Sequence, residues 1–416
     1  MASDVSSAVE SVYRADWGKI VATLIKQVGD FEMAEECAQE AFAAALDQWP
    51  ASGIPEIPTA WIIRAARNKA IDRIRRLSLH SEKMQSYVAS GFAPESIEPD
   101  YDITEIPDER LRLIFTCCHP SLAHDAQVAL TLRTLCGLGT DEIARAFLVP
   151  AATMAQRLVR AKRKIRVAGI PYIVPDVQHM PERLEAVLTA IYLVFNEGYA
   201  ATRGESLVRT DLCSEAIRLG NVVRTLMSPQ APAEVTGLVA LMMLHDARRE
   251  ARLDSAGDLI LLEDQDRSLW NRRQIEEALQ LTPDAGRGPF GLQAAIAALH
   301  CCAARAEDTD WPRILRLYDI LERIQPSPVV SLNRAVAVAM VAGPEAALKL
   351  IEGIAAGKHL EDYHLLHAAR ADLLRRMGSR EEAAKSYRRA LELVTNESER
   401  RYLERRLEQV LTRAAG

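Results

Sequence analysis

The stretch "LGTDEIARAFLVPAATMAQRLVRAKRKIR", Leu138 to Arg166, decides how this chain is expected to fold. Thr140 stands where a helix N-cap is expected, with two acids in the turn after it, and a second helix starts at Pro150. On the second helix, apolar residues at helical spacing predict a buried stripe made of Met154, Leu158, Ala161 and Ile165. The opposite face carries polar and basic residues, namely Thr153, Gln156, Arg157, Arg160 and Lys164. Two short helices joined by a tight turn, the second basic on its exposed face, indicate a helix-turn-helix unit.

Two helices of opposite charge are predicted further upstream. In "DFEMAEECAQEAFAAALDQW" (Asp30–Trp49) one face is apolar, formed by Ala38, Ala41, Phe42, Ala45, Leu46 and Trp49, and the other is acidic. A proline-rich loop, Pro50–Thr59, precedes the basic stretch "AWIIRAARNKAIDRIRR" (Ala60–Arg76), although the chain has a net charge of -6. Taken alone, such a basic helix is more often a solvated face than a nucleic-acid contact. The uneven spread of charge favours nucleic acid on the basic surfaces and a protein partner on the acidic one.

The bulk properties predict a helical protein of the cytoplasm. With 416 residues the chain has room for several domains, and its abundant alanine and leucine with few aromatics favour helix over sheet. No apolar run approaches the roughly 18 residues that cross a bilayer, and the N-terminus lacks the pattern of a signal peptide. The seven cysteines, an odd number with two adjacent pairs, suit reduced thiols. We therefore expect an all-α fold and no membrane association.

Changes in composition predict the domain organisation. A first helical domain covers residues 1–78, a polar and acidic linker 79–105, the helix-turn-helix domain 106–170, and a large helical extension 171–416. Near the end, "NRAVAVAMVAGPEAALKLIEGI" aligns with "ARADLLRRMGSREEAAKSYRRAL" so that Ala347 matches Ala383. The separation between Ala347 and Ala383 in the sequence predicts tetratricopeptide-like repeats near 329–412.

Several other stretches contain residue types found in metal or catalytic sites. "FTCCHP" (Cys117–His119) and "HCC" (His300–Cys302) place thiols side by side, which does not suit a tetrahedral zinc site, so no metal or other cofactor is predicted. The stretch "HDARREARLDSAGDLILLEDQDRSLWN" (His245–Asn271) is rich in acids and arginines and reads either as a polar pocket or as a solvated loop with a short hairpin. No phosphate-binding loop or nucleophile motif is present, so we expect no catalysis and assign no catalytic residue.

In order along the chain, these motifs resemble the bacterial sigma factors. "DFEMAEECAQEAFAAALDQW" resembles their region 2.2, "AWIIRAARNKAIDRIRR" regions 2.3 and 2.4, and "GLGTDEIARAFLVPAATMAQRLVRAKRKI" region 4.2. With only a short linker between them, the chain resembles the extracytoplasmic-function group of the sigma-70 class. The resemblance covers about residues 5 to 168. "AIYLVFNEGYAAT" (Ala190–Thr202) is similar to the subgroup with a long tetratricopeptide-like C-terminal extension.

The resemblance implies partners and roles for particular residues. RNA polymerase core would bind through its β′ clamp and β flap, the clamp being met by an acidic set: Glu32, Glu35, Glu36, Gln39 and Glu40. The −10 promoter element would be melted and held by Trp61, Arg64, Arg67, Asn68, Lys69, Arg73 and Arg76. Trp61 reads equally well as a core residue. The −35 element would meet Thr153, Gln156, Arg157, Arg160, Lys162, Lys164 and Arg166. The family's usual triplet after the threonine is replaced here by Met154-Ala155-Gln156, so the −35 sequence is not predicted.

The extension implies regulation within the chain. Its "YLVFNEGY" motif is expected at a regulatory contact or groove through Tyr192, Asn196, Glu197 and Tyr199, with a regulatory protein or a small ligand as a candidate partner there. The alternative is a tetratricopeptide scaffold or ligand sensor that acts as an ordinary helix-turn-helix activator. That protein would need no clamp-binding or melting helix, and it would bind duplex promoter DNA without polymerase.

Overall fold

The fold is entirely α-helical, as predicted. The computed structural model describes residues 2–80, 109–147, 149–199, 210–228, 231–284, 288–357 and 360–412. Within these ranges the chain forms eighteen α-helices and a few short 3-10 helices, with one antiparallel bridge, between Leu253 and Leu259, and no strand. The chain divides into two compact units, residues 1–193 and 194–416. The acidic linker predicted at 79–105 lies outside the described residues apart from its first two positions.

Unit 1 holds both sigma-like motifs. Its helices are α1 Ala2–Val28, α2 Phe31–Ser52, α3 Pro58–His80, α4 Arg110–Cys117, α5 His124–Thr134, α6 Thr140–Phe147, α7 Ala151–Val167 and α8 Met180–Tyr199, the last of which contains the boundary between the units. Helices α1, α2 and α3 pack on one another around Trp17, Ile20, Ala41 and Trp49, all of which are buried. The chain turns from α1 into α2 at Gly29, whose φ of 71° suits glycine. Asp30 then caps α2 by accepting a hydrogen bond from the Met33 backbone N–H at 2.9 Å.

Two details of this bundle differ from the sequence prediction. Leu46 was expected on the buried face but is 44% exposed, because Ala45, about 100° away around the helix, takes the inward position. The loop predicted at Pro50–Thr59 is shorter, since α2 continues to Ser52 and α3 begins at Pro58. Proline fits the first turn of a helix, where its missing N–H has no intrahelical partner.

The helix-turn-helix unit agrees with its predicted pattern. Helices α6 and α7 pack together, and the buried residues of α7 are Met154, Leu158, Ala161 and Ile165. The polar face of α7 is therefore turned away from the small core beneath it.

Unit 2 is built from consecutive helices that pack on their neighbours in sequence. After the end of α8 they are α9 Thr210–Leu226, α10 Ala233–Asp246, α11 Arg272–Leu281, α12 Pro289–Cys302, α13 Trp311–Ile324, α14 Pro328–Ala342, α15 Pro344–Ala356, α16 His364–Arg376, α17 Arg380–Leu393 and α18 Glu397–Thr412. Helix α10 is apolar around its whole circumference because α9, α11 and α12 all pack on it.

The predicted internal repeat appears as two helix pairs, α14–α15 and α16–α17. Ala347 and Ala383 are both fully buried, in adjoining apolar clusters. The turns of the two pairs contain Gly343 and Gly378, with φ of 92° and 79°. The helices therefore lie where the alignment placed them, and the assignment to tetratricopeptide-like repeats stays a prediction.

Candidate polymerase and nucleic-acid interface

Helix α3 presents most of its predicted −10 residues to solvent. Arg64, Asn68, Arg73 and Arg76 are exposed, while Arg67 and Lys69 are half-buried. Trp61 is also half-buried, and its ring meets that of Trp49 edge to face with centroids 5.5 Å apart. The indole therefore packs against the core and still has accessible surface, so both interpretations of Trp61 remain open.

Basic residues of α3 pair with acidic residues of α2. Lys69 Nζ lies 3.4 Å from a Glu40 carboxylate oxygen, and Arg73 forms an ion pair with Glu36. The Glu36 carboxylate raises the pKa of the Arg73 guanidinium above its ordinary value. Two predicted clamp-binding acids thus lie beside two predicted DNA-binding cations, so the two sets form one charged surface.

Glu35 has a different environment from the rest of the acidic set. Glu32, Gln39 and Glu40 are exposed and Glu36 is half-buried, but Glu35 is only 4% exposed. Its Oε2 accepts a hydrogen bond from Arg133 Nε at 3.2 Å and lies 3.0 Å from Lys162 Nζ. Arg133 lies on α5 and Lys162 on α7. The predicted clamp-binding residue Glu35 is therefore covered by side chains of the same chain.

Further contacts join α1 to the segment around Leu135. Tyr13 donates its hydroxyl hydrogen to the Gly137 carbonyl at 2.7 Å, and Trp17 donates its indole N–H to the Arg133 carbonyl at 3.2 Å. At Gly18 the backbones approach so closely that an added Cβ would lie 2.7 Å from the Leu135 carbonyl oxygen. Burial raises the pKa of the Tyr13 hydroxyl. The three-helix bundle α1–α3 and the segment that leads into the helix-turn-helix therefore share a partly buried interface.

Ion pairs and hydrogen bonds extend this interface on both sides. Arg166 of α7 forms an ion pair with Asp30, the cap of α2. Tyr172 donates to the Ala22 carbonyl at 2.9 Å, and Lys26 lies 2.8 Å from the carboxylate of Glu109, which is buried. We refer to this set of contacts between α1–α2 and residues 109–172 as the closed interface.

A cleft of about 420 Å³ runs along the closed interface. One wall carries four of the five predicted clamp-binding residues: Glu32, Glu35, Glu36 and Gln39. The facing wall carries cations: Arg133, Lys162, Arg163 and Arg166. The acidic face of α2 is therefore opposed, within the chain, by charges of opposite sign.

The predicted −35 residues of α7 divide into two groups. A second, smaller cleft of about 300 Å³ is lined by Thr153, Gln156, Arg157, Arg160 and Lys164. Arg157 in this group lies 3.2 Å from an Asp125 carboxylate oxygen, and Lys164 donates to the Ser121 carbonyl. Lys162 and Arg166 instead contact the acids of α2 at the closed interface. The first group makes no contact with α2, whereas Lys162 and Arg166 pair with acids of that helix, although Arg166 is still 57% exposed.

The predicted regulatory residues lie along α8. Tyr192 and Asn196 are half-buried, and the side chain of Glu197 is outside the described part of the structure. Tyr199 stacks on Phe195 with ring centroids 5.6 Å apart and meets His245 edge to face at 5.1 Å. Tyr199 thereby joins the "YLVFNEGY" motif to the arginine-rich stretch that begins at His245.

Sequence reasoning missed most of the closed interface. Arg133 is a lone cation on α5, which is otherwise lined with buried apolar and hydroxyl side chains. A cation among buried side chains needs a partner, so the position of Arg133 indicates a contact with an acidic residue elsewhere in the chain. Tyr13 and Trp17 read as ordinary core residues, because nothing in the local pattern shows that their polar atoms reach a distant loop.

Among the described residues, no group of three or more histidine, cysteine, aspartate or glutamate side chains is placed to hold a metal ion. Over the same part of the chain, no helix has both the length and the apolar character needed to span a bilayer.

Two family models match the chain in the same order as the two sigma-like motifs. Sigma-70 region 2 matches residues 13–79 and Sigma-70 region 4 matches residues 112–165. A family of unknown function, DUF6596, matches residues 183–286. The chain therefore carries a Sigma-70 region 2 domain and a Sigma-70 region 4 domain, followed by a helical part that includes the DUF6596 domain.

Whole-chain comparison identifies a relative of nearly equal length. An uncharacterised protein of Rhizobium meliloti (strain 1021), R00370, is 45% identical over 401 residues, which is 95% of this chain and 94% of the relative. The chain therefore belongs to the same family as R00370.

More distant similarity extends to a protein with a functional name. The probable ECF RNA polymerase sigma factor SigI of Mycobacterium tuberculosis, in strains CDC 1551 / Oshkosh and ATCC 25618 / H37Rv, is 28% identical over 174 residues. The match covers 41% of this chain and 59% of SigI. No solved structure matches the chain.

Proposed function

We propose that this chain binds the RNA polymerase core, recognises −35 and −10 promoter elements and melts DNA to start transcription. The observation that carries the proposal is that regions 2 and 4 occur in order and each exposes a basic helix face. On α3 the exposed set includes Arg64 and Asn68, and on α7 it includes Gln156 and Arg160. Exposed cations suit phosphates, and arginine beside glutamine suits base edges in the major groove. We assign the chain no catalytic activity of its own and place its action in the cytoplasm, where transcription takes place.

The closed interface gives this function a resting state. The β′ clamp is proposed to bind the acidic face of α2, yet Glu35 is buried there against Arg133 and Lys162. Polymerase must therefore displace the helix-turn-helix unit before it can contact that carboxylate. Separating the two regions also frees Lys162 and Arg166 to meet phosphate at the −35 element.

The extension is proposed to regulate this activity within the chain. Unit 2 contains more than half of the residues and carries no sigma region, so it is free to serve control rather than promoter contact. We expect a chain ending at Leu193, the last residue of unit 1, to differ markedly in transcription from the full chain. Equal output from the two chains would contradict regulation in cis.

Run-off transcription with purified core polymerase tests the proposed activity. The full chain should start transcripts on promoters selected from its own genome. The double change Arg64→Ala with Asn68→Ala on α3 should abolish them, because it removes exposed contacts to the melted strand. Arg316→Ala, at an exposed arginine of α13, serves as the matched control and should leave transcription unchanged. No transcript with the full chain, together with tight binding of duplex promoter DNA without polymerase, would favour the helix-turn-helix activator instead.

A further inference from the structure

Unit 2 brings together two sequence motifs that the proposed function does not use. Tyr199, from "YLVFNEGY", ends α8, His245 lies in the last turn of α10, and Arg248 follows that helix. Arg252 follows the 3-10 helix Arg249–Ala251, and Arg267 begins a second 3-10 helix that ends beside Trp270. The Asn271 backbone N–H donates to the Ala247 carbonyl at 2.8 Å and so holds the second segment against the first. We call Arg248, Arg252 and Arg267 the arginine cluster.

The arginine cluster is buried to an unusual degree for cationic side chains. Arg248 is 4% exposed and Arg252 is 7% exposed, and Arg267 is half-buried. The Arg252 guanidinium lies 3.6 Å from the centroid of the Tyr199 ring, and that of Arg267 lies 4.5 Å from the centroid of the Trp270 ring. Aromatic faces of this kind support a guanidinium and leave its N–H edge available to other groups.

The hydrogen bonds of the cluster go to neutral groups. Arg248 donates to the Tyr199 hydroxyl at 3.3 Å and to His245 Nδ1 at 2.8 Å, and its Nε is buried without a partner. Arg252 donates to the Tyr199 carbonyl. Arg267 donates to the His300 and Ala303 carbonyls at 2.9 and 2.6 Å. Within the described residues no carboxylate forms an ion pair with any of the three, so no counter-ion for the cluster is found in that part of the chain.

Two carboxylates that act electrostatically on the cluster, Glu399 and Asp308, are engaged elsewhere. Glu399 acts on Arg252 at longer range and lies 3.2 Å from His364 Nε2, while Asp308 acts on Arg267 and pairs with Arg305 at 3.0 Å. Other arginines of the same unit pair directly: Arg249 lies 2.9 Å from an Asp246 carboxylate oxygen. The missing counter-ion is therefore a feature of this cluster and not of the unit as a whole.

The two histidines beside the cluster cannot supply negative charge and are kept neutral. Burial and the nearby arginines lower the pKa of His245 well below its ordinary value, and burial, Arg248 and Arg267 lower that of His300 to about 4. Because His245 Nδ1 accepts from Arg248, the neutral ring carries its hydrogen on Nε2. His245, His300, Tyr199 and Arg267 each keep part of their surface exposed, so the cluster has an edge in contact with solvent.

We propose that the arginine cluster binds a small oxyanion, phosphate or carboxylate, whose charge supplies the missing counter-ion. Burying like charges without a counter-ion lowers the stability of the folded state. An anion that binds the arginine cluster only in the folded chain therefore raises that stability. Guanidinium groups match both oxyanions because they donate parallel hydrogen bonds to two oxygens. The unpartnered Nε of Arg248 is a further donor within the cluster.

Thermal unfolding of the full chain, purified in chloride buffer, tests the site without polymerase, so the result does not depend on the proposed sigma activity. Sodium phosphate and sodium acetate are titrated against sodium chloride of equal ionic strength. We expect at least one oxyanion to raise Tm saturably, by about 5–10 °C at a hundredfold excess over its Kd. A response to phosphate alone indicates a phosphate-ester ligand, and a response to acetate alone indicates a carboxylate ligand.

Variants separate binding from general salt effects. Arg248→Met should abolish the shift and, without an oxyanion, should be at least as stable as the parent, since an uncompensated charge has been removed. Arg248→Lys, which keeps the charge but loses the forked geometry, should keep a smaller shift and covers the case in which the methionine variant fails to fold. Arg316→Met, exposed on α13, should keep the full shift. The proposal is overturned if neither oxyanion exceeds chloride in the parent, or if Arg248→Met responds as the parent does.

Discussion

At the scale of the residue, Glu35 shows how one position can belong to two surfaces. Helical periodicity places it beside Glu32 and Glu36, which are accessible on α2. In the folded chain its carboxylate is buried between Arg133 and Lys162, whose side chains are 17% and 16% exposed. Removing one member of a buried ion pair leaves its partners without compensation, so the effect on stability exceeds that of an exposed pair.

We expect Glu35→Gln to lower the free energy of unfolding of unit 1 by about 2 kcal/mol, because two partly buried cations lose their carboxylate. Urea unfolding followed by circular dichroism measures the change. Glu32→Gln is the matched control: it lies on the same helix but is exposed, and it should stay within about 0.5 kcal/mol of the parent. A similar small effect for both variants would show that the Glu35 pairs contribute little.

His300 provides a prediction on pH dependence. Its folded-state pKa is about 4, lowered by burial, Arg248 and Arg267, against an ordinary value near 6.5. Between these values the unfolded chain binds more protons, so unfolding free energy falls as pH drops from 6.5 towards 4, with a slope of up to about 1.4 kcal/mol per pH unit from this group. The urea midpoint measured from pH 7 to pH 4.5 should therefore fall less steeply for His300→Gln than for the parent. Parallel curves would contradict the lowered pKa.

At the scale of the element, helix α7 presents different residues to solvent and to helix α2. Its outward face carries Gln156 and Arg160, and its sides carry Lys162 and Arg166, which contact the acids of α2. A helix that reads a major groove needs only a few side chains at base edges, and the flanking cations position it on phosphate. The closed interface uses those flanking cations and leaves the reading face uncovered by α2.

Under the proposed function, Arg160→Ala should lower transcription from the preferred −35 sequence by about tenfold, since a bidentate arginine contact contributes about 1–3 kcal/mol of base discrimination. Transcription from a library of −35 variants with the polymerase holoenzyme measures it, and the preference should relax at one or two positions. Lys164→Ala is the companion variant: loss of a phosphate contact should weaken all sequences about equally. An unchanged −35 preference in Arg160→Ala would exclude that arginine from base reading.

At the scale of the whole molecule, the proposed function implies an equilibrium between the closed form of unit 1 and a form in which the closed interface is open. If only a fraction of the free chain is open, its apparent affinity for polymerase is reduced by that fraction. The close approach at Gly18 offers a way to shift this equilibrium, because Gly18 belongs to neither the predicted clamp set nor the predicted DNA set. A larger side chain there would meet the Leu135 backbone, which cannot move independently of α5.

We expect Gly18→Leu to open the closed interface and to tighten binding to core polymerase by about tenfold. Fluorescence anisotropy measures the affinity, and energy transfer between dyes on unnatural amino acids at Gln48 and Val167 measures the opening. Gly353→Leu is the matched control, since this helical glycine of α15 has open space around its Cβ position and should change neither. Greater dye separation without tighter binding would show that the closed interface does not limit access by polymerase.

The sequence by itself determined the helices and the character of their faces. Periodicity identified the buried stripe of α7, and the alignment of Ala347 with Ala383 located two helix pairs, because both features depend on contacts between residues near in sequence. The region 2 and region 4 motifs were recognisable for the same reason: their residues lie in short continuous stretches.

Only the tertiary structure decided which charges meet. The partners of Glu35 are 98 and 127 residues away in sequence, and Tyr199 reaches Arg248 across 49 residues. No local pattern shows such pairings, because an exposed and a buried carboxylate look alike in a sequence, as do a paired and an unpaired arginine. Burial determines how strongly each charge affects stability, because a charged group removed from water is stabilised only by the few partners that the fold places beside it.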